Sequence, residues 1–356
     1  MVPVFDGHND FLMRVWQDPG RREALWRGDE GGGGGAGHLD LPRMQRGGFA
    51  GGLFAIYVPS AGGDAGVNLD ALMNDPPYDL PLPPAVPLGS AQPAALAMAG
   101  HLMALERMAP ESFALCRTVA GIEAAMAAGR IAGVMHMEGA EAIDEGCDAL
   151  HVFHAMGLRS LGPVWSRPTV FGHGVPFRFP GSPDTGPGLT AAGKRLVRAC
   201  NRLGILVDLS HLNLRGMADV ALISDAPLVA SHSNAHAVTP STRNLTDAQL
   251  DMIRESGGLV GLNFATVFLR PDGRLDPATG WEPVLRHLDH LIGRLGEDHV
   301  GLGSDFDGAT VPDVIGDAGG LQGLVGAMRS HGFGEALVGK LAWRNWLAVL
   351  RRTWGA

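Results

Sequence analysis

Two apolar runs, Ile205 to Ser210 and Leu228 to Ser231, each break off in the same Ser-His pair, and a helix-like stretch from Leu214 to Ala226 separates them. Strand, helix and strand in that order make parallel neighbours, because parallel pairing needs a long crossover. His211 and His232 then stand side by side at the carboxyl ends of adjacent strands, where parallel α/β proteins collect ligands and reactive groups. Two neighbouring histidines in that place are candidates for metal ligation or for a catalytic pair.

Six more runs of the same kind complete the set: Val2 to Phe5, Phe49 to Val58, Ile131 to Met137, Leu158 to Val164, Leu259 to Phe264 and His299 to Ser304. Helices with readable ends alternate with them. The pattern predicts one over Ser112 to Ala128, stopped by Gly129, and one capped by Thr190 that ends at Gly204. It predicts another opened by the capping-box pair Thr246 and Gln249, and one over Glu282 to Leu295. Eight strands alternating with helices over 356 residues predict the α/β class and a (β/α)8 TIM-type barrel, a single domain spanning residues 1–356, with a doubly wound open sheet as the alternative. Three connections are too long for plain turns: Arg14 to Gly48, whose glycine run at 31 to 35 reads as a flexible tip, Pro59 to Ala91, and Ser166 to Gly188. All three follow strands, so in a barrel they rise on the catalytic face.

A formal net charge of −9 and the lack of any Lys/Arg cluster argue against nucleic acid or an anionic membrane as partner and leave a small-molecule substrate. No uncharged apolar run reaches the ~18 residues of a spanning helix. The opening MVPVFDGHND enters a strand pattern at once, without the basic and apolar regions of a signal peptide. The cysteines, Cys116, Cys147 and Cys200, are far apart and read as reduced core residues, so the expected location is cytoplasmic.

The remaining strand ends extend the histidine pair. The first strand closes in DGHND, where a period of two puts His8 and Asp10 on one face; the third closes in Glu138; the last closes in Ser304-Asp305-Phe306-Asp307-Gly308. Taken singly, a strand-end histidine is more often a hydrogen-bonded core residue and an Asp-Gly segment more often a turn. Taken together, they read as a metal centre. Catalytic zinc keeps three protein ligands and an open position. His8 and Asp10 supply two ligands to one ion, His211 and His232 two to another, and Glu138 bridges as the third ligand of both, with a hydroxide shared across ions ~3.5–4 Å apart. Two divalent ions, zinc by preference, are therefore the expected cofactor. Asp305 is left over and fits a general base that takes the hydroxide's proton and returns it to a leaving amine. His136, two residues before Glu138 on the same face, belongs beneath the metals as a supporting or core residue.

These residues resemble the renal, or membrane, dipeptidases of the amidohydrolase superfamily, which are zinc-dependent (β/α)8 barrels. The resemblance runs from DGHND at 6 to 10 to NWL at 345 to 347 and is most specific in MEGAEAIDEGCDALHVFHAMGLR, Met137 to Arg159, with His154 where the family signature has tyrosine. It implies His8, Asp10, Glu138, His211 and His232 as metal ligands, Arg243 in SxRN as the partner of the substrate carboxylate, and Asp305 as the proton-transfer group. It also implies a homodimer and tolerance of a D-residue at the substrate's C-terminal position. One departure bears on specificity. The family's histidine in an L-T-H-S run, which helps hold the scissile carbonyl, is replaced by Trp165 in GPVWS. His173, in the adjoining FGHGVPF, is the candidate substitute, against the plainer reading of a solvent-facing loop residue. The expected activity is hydrolysis of the amide bond of dipeptides by the metal-bridging hydroxide. The alternatives are the same machinery acting on another amide, an N-acyl amino acid or a lactone, which Trp165 favours, and a non-catalytic metal-binding relative, which would not need Asp305.

Overall fold

The computed structural model describes residues 1–29, 37–60 and 69–355; the glycine run at 31 to 35 lies outside them. Eight strands make the frame: β1 Val4–Asn9, β2 Phe49–Tyr57, β3 Ile131–Glu138, β4 Leu158–Leu161, β5 Leu206–Val207, β6 Val229–Ala230, β7 Leu259–Leu262 and β8 Val300–Leu302. Each overlaps one of the eight expected runs, although β1 runs on past Phe5 to Asn9. Neighbours pair in parallel in the order β5-β4-β3-β2-β1-β8-β7-β6, and a parallel bridge between Asp208 and Val229 joins the two ends of that row. The result is a nearly closed barrel and not an open sheet. The strands read as unbroken apolar runs because one face meets the surrounding helices and the other the barrel interior.

The helix ends follow local chemistry. Thr190 accepts the Gly193 N–H and Gly204 closes that helix in the left-handed region, while Thr246 and Gln249 form the reciprocal capping box. The helix expected from Ser112 is shorter than its pattern suggests. Phe113–Leu115 is instead a strand beside Ile131–Gly133, and the helix, Val119–Ala127, starts from its Thr118 cap. Phe113 packs edge-on against Trp26 and Phe54, a tertiary contact that overrides the local helical periodicity. A 21-residue helix, Leu88–Met108, opens inside the stretch read as a long loop.

The barrel interior is apolar at one end and polar at the other. Phe5, Leu53, Val134, Leu206, Val229 and Leu259 cluster with Trp346 from the C-terminal helix Asn345–Trp354. The indole fits because β1 and β8 carry Gly7 and Gly301 beneath it, where any Cβ would run into the ring, while a Cβ at Gly261 on β7 would strike the Ser231 carbonyl and crowd the ring. Its Nε1 donates to the Leu302 carbonyl at 2.8 Å. Along β3 the inward face then passes in steps of two from Val134 to His136 to Glu138, so polar groups gather at the carboxyl ends. There the long connections meet. Tyr78–Asp79, after β2, pairs antiparallel with Arg178–Phe179, after β4, and Met73, Leu80, Val267 and Phe268 pack around that pair.

Trp346→Ala should destabilise the protein by about 3–5 kcal/mol. The measurement is a urea melt whose midpoint falls while the slope stays constant. An unchanged midpoint would remove Trp346 as the plug of the barrel.

Candidate active site

Strand ends bring His8, Glu138, His211, His232 and Asp305 to the carboxyl mouth of the barrel, with Asp10 just beyond β1. His211 and Asp305 adopt left-handed backbone, φ 69° and 61°, which ends the extended chain and aims the side chain over the mouth. Such a conformation costs a non-glycine residue on the order of 1–3 kcal/mol and persists where the surroundings over-determine it. Gly308 is required nearby, since a Cβ there would strike the Asp10 carboxylate and crowd that of Asp305.

Glu138 occupies the centre. Its Oε1 lies 3.0 Å from His211 Nε2 and 3.4 Å from His232 Nε2, while its Oε2 lies 3.5 Å from His8 Nε2. His8 Nε2 is also 3.3 Å from Asp10 Oδ2. The His8 and His232 rings lie 31° apart in tilt with centroids 3.8 Å apart, and the Nε2 atoms of His211 and His232 are 3.2 Å apart. His8, Asp10 and Asp305 form a further group whose ligand atoms lie within 4.8 Å of one another.

Burial opposes charge throughout this cluster. It pushes Glu138 up to about 7 although His8 pulls the other way, and it raises Asp305 against the same opposition. Burial holds His211 and His232 well below the usual histidine value, with the positive charge of Arg243 and His8 adding to the effect. His8 goes the other way. Burial disfavours its charged form, but the Glu138 and Asp10 carboxylates override that and raise it well above normal. Neutral imidazoles are the form that gives a lone pair to a metal. Both ring nitrogens of fully buried His8 lack a hydrogen-bond partner among the described residues, which a cation drawing on one of them would resolve. Converging nitrogen and carboxylate donors of this kind fit a divalent metal.

Around the cluster, the structure adds partners that the sequence reading missed. Asp305 Oδ2 accepts from Asn263 Nδ2 at 2.8 Å, and Asn263 is itself tied to Asn234. The only trace of Asn263 in the sequence is a polar residue interrupting the run LVGLNF. His136 sits beneath the cluster as expected, edge-on to His8 and 2.9 Å from Ser160 Oγ. Arg243 is 3% exposed and stands behind the two histidines: Nε donates to His211 Nδ1 at 3.1 Å, Nη1 to Ser233 Oγ at 3.0 Å and Nη2 to the His232 carbonyl at 3.0 Å. Phe268 lies 5.7 Å from its guanidinium, and Arg243 is not on the wall of the cavity.

Trp165 is on that wall. The cavity, about 230 Å³, has Asp10, Glu138, His211 and Asp305 among its polar lining and Tyr57, Trp165, Phe177 and Phe268 as its aromatic sides. The Trp165 ring meets Tyr57, Phe177 and His211 at 5.2, 5.6 and 5.7 Å. The guanidinium of Arg167 lies 5.5 Å from the same ring and pairs with Glu141 at 2.7 Å, both residues fully buried. That ion pair was legible only as two charges in otherwise apolar strand-end segments. His173 does not line the cavity; it is half-buried in its loop, with its carbonyl accepting from the Asn213 N–H. All three cysteines are free and buried, and burial pushes the Cys116 and Cys200 thiols up to about 11 and about 12.

Residues 1–354 match the family model of membrane dipeptidase, peptidase family M19. The chain belongs to the membrane dipeptidase family. A metallo peptidase from Rhodobacter sphaeroides, crystallised with a phosphinate mimic of the dipeptide L-Ala-D-Ala, is 65% identical and superposes with a TM-score of 0.96 over 99% of each chain. A protein from the pqqA 5′ region of Klebsiella pneumoniae is 52% identical over 241 residues, 67% of this chain and 89% of that one. The probable dipeptidase PvdM from Pseudomonas aeruginosa, at 21% identity, shares the fold with a TM-score of 0.82 over 99% of this chain and 96% of its own. This member is a metal-dependent dipeptidase. No helix among its described residues is long and apolar enough to cross a membrane.

Chelation should abolish dipeptide hydrolysis and a divalent ion should restore it, whereas alkylating reagents should leave the rate unchanged because the thiols are buried. Activity that survives exhaustive chelation would contradict the metal requirement.

Proposed function

We propose that this dipeptidase holds two divalent ions, zinc by preference, and cleaves dipeptides that include those with a D-residue at the C-terminal position. The observation that carries the reading is Glu138, whose two oxygens face different donor sets, His8 with Asp10 on one side and His211 with His232 on the other. A carboxylate so placed suits a bridge between two ions. Bound there, the ions would supply Lewis acidity toward the scissile carbonyl and an acidified water as nucleophile.

The chain's own residues do the rest. Asp305 takes the proton released on attack and returns it to the leaving amine, with Oδ2 held by Asn263 so that Oδ1 is left for the transfer. Arg243 commits three of its five N–H groups to His211 Nδ1, Ser233 Oγ and the His232 carbonyl, and so braces the two histidines from behind the cavity wall. Trp165, Tyr57, Phe177 and Phe268 exclude water from the reacting bond. The relative crystallised with an L-Ala-D-Ala mimic supports the stereochemical part. Three free buried cysteines support a reducing, cytoplasmic setting, and the family resemblance supports a homodimer.

Elemental analysis should find about two divalent ions per chain, fewer in Glu138→Gln, and the loaded enzyme should hydrolyse both L-Ala-D-Ala and L-L dipeptides in preference to N-acyl amino acids. A single tightly held ion, indifferent to Glu138→Gln, would refute the bridge. Asp305→Asn should keep the metals yet lose about 10²-fold or more in kcat, the scale of a proton-transfer group. Full activity in that variant would move the proton chemistry to another residue.

A further inference from the structure

β5 and β6 are two-residue strands, and their shared seam carries a single backbone bridge together with a Leu209 N–H to Val229 carbonyl bond of 2.8 Å. Both histidines on the far side of Glu138 hang from this thinly paired seam. What crosses it instead is a carboxylate. Asp208 Oδ1 accepts the Ser210 N–H at 3.1 Å and the Ser231 N–H at 2.8 Å, and Oδ2 lies 2.6 Å from Ser231 Oγ. Ser231 Oγ in turn lies 2.7 Å from His232 Nδ1. Asp208, Ser231 and His232 are each at most 2% exposed, so water does not compete for these bonds.

We propose that Asp208 is a positioning residue that fixes, through Ser231, which ring nitrogen of His232 is bare, and thereby sets the affinity of the ion on that side of Glu138. The inference rests on the reading of His232 as a metal ligand. A carboxylate only accepts, so the Ser231 hydroxyl hydrogen points at Asp208 and its oxygen is left to accept from His232 Nδ1. A neutral imidazole carries one ring hydrogen. With that hydrogen on Nδ1, the lone pair is on Nε2, the atom 3.4 Å from Glu138 Oε1. His211 lacks this arrangement: its Nδ1 faces Ser166 Oγ at 2.8 Å and Arg243 Nε at 3.1 Å. The dependence on Asp208 therefore belongs to one ligand of the pair.

The test is a zinc titration of the metal-stripped, full-length protein against a competing chromophoric chelator, reading the number of ions and the affinity of each. In Asp208→Asn the amide keeps its oxygen on the two backbone N–H groups, so its NH₂ faces Ser231 Oγ. The serine hydrogen, no longer drawn to a carboxylate, turns to His232 Nδ1 at 2.7 Å in competition with the more distant Ser210 Oγ at 3.4 Å, and where it turns to the ring the ring hydrogen moves to the ligating Nε2. One ion should be bound about 10–100-fold more weakly, the scale for lost supporting contacts, while the other stays. Ser231→Ala removes the director without reversing it and should cost less. The double variant Asp208→Asn/Ser231→Ala should recover to the level of Ser231→Ala alone, a sign reversal that simple loss of structure does not produce.

Wild-type affinity in Ser231→Ala, or a double variant weaker than both singles, overturns the proposal. Ser231→Ala decides the matter by itself if Asp208→Asn does not fold. His232→Ala separates the two levels. Loss of one ion there, with wild-type affinity in Ser231→Ala, sinks only the role of Asp208; unchanged loading in His232→Ala sinks the ligand assignment itself.

Discussion

A carboxylate buried among three imidazoles is the constraint around which this protein is arranged. Glu138 and Asp10 are buried, and half-buried Asp305 stands beside them; a cluster of that charge is not stable at a barrel mouth unless positive charge meets it. In the bare protein the requirement appears as displaced acidities, with Glu138 raised to about 7, His8 pulled up by the carboxylates beside it, and His211 and His232 pushed down by burial. A divalent cation meets the same requirement with far more charge in the same space.

The barrel closes beneath this cluster and opens above it into the cavity. Below, the apolar layer and the Trp346 plug close the barrel, and the glycines that admit the indole, Gly7 and Gly301, tie that closure to β1 and β8. Above, an antiparallel pair joins two long loops, and Tyr57, Trp165, Phe177 and Phe268 give the cavity aromatic sides. Trp165 is held from behind by Arg167, itself neutralised by Glu141. A tryptophan so wedged forms a fixed aromatic part of the cavity wall. The cavity thus combines a strongly ionic floor with aromatic sides, a division that suits an amide whose charged transition state must be met on one face only.

The repeating features of the fold were legible from sequence. Eight strands were visible because continuous burial makes each an apolar run, and the Thr190, Thr246 and Gly204 helix ends because capping is settled within four residues. The stretch around Phe113 misled, since its helical spacing lost to ring packing against Trp26 and Phe54, residues distant in sequence. Asp208, Asn263 and the Arg167–Glu141 pair escaped for a related reason. A single polar residue in an apolar run carries no periodicity, and its meaning depends on a partner on another strand.

The sequence by itself therefore determined which chemical groups stand at the strand ends and in what order, because strand period and strand–helix alternation are local properties of the chain. Tertiary structure alone decided how those groups face one another. It set Oε1 and Oε2 of Glu138 toward different histidines, placed Arg243 behind His211 and off the cavity wall, left His173 out of the cavity and put Trp165 in it. Each of those outcomes depends on where the row of strands closes and on how the long loops pack over its mouth. Those are sums over many distant contacts, and no window of sequence contains them.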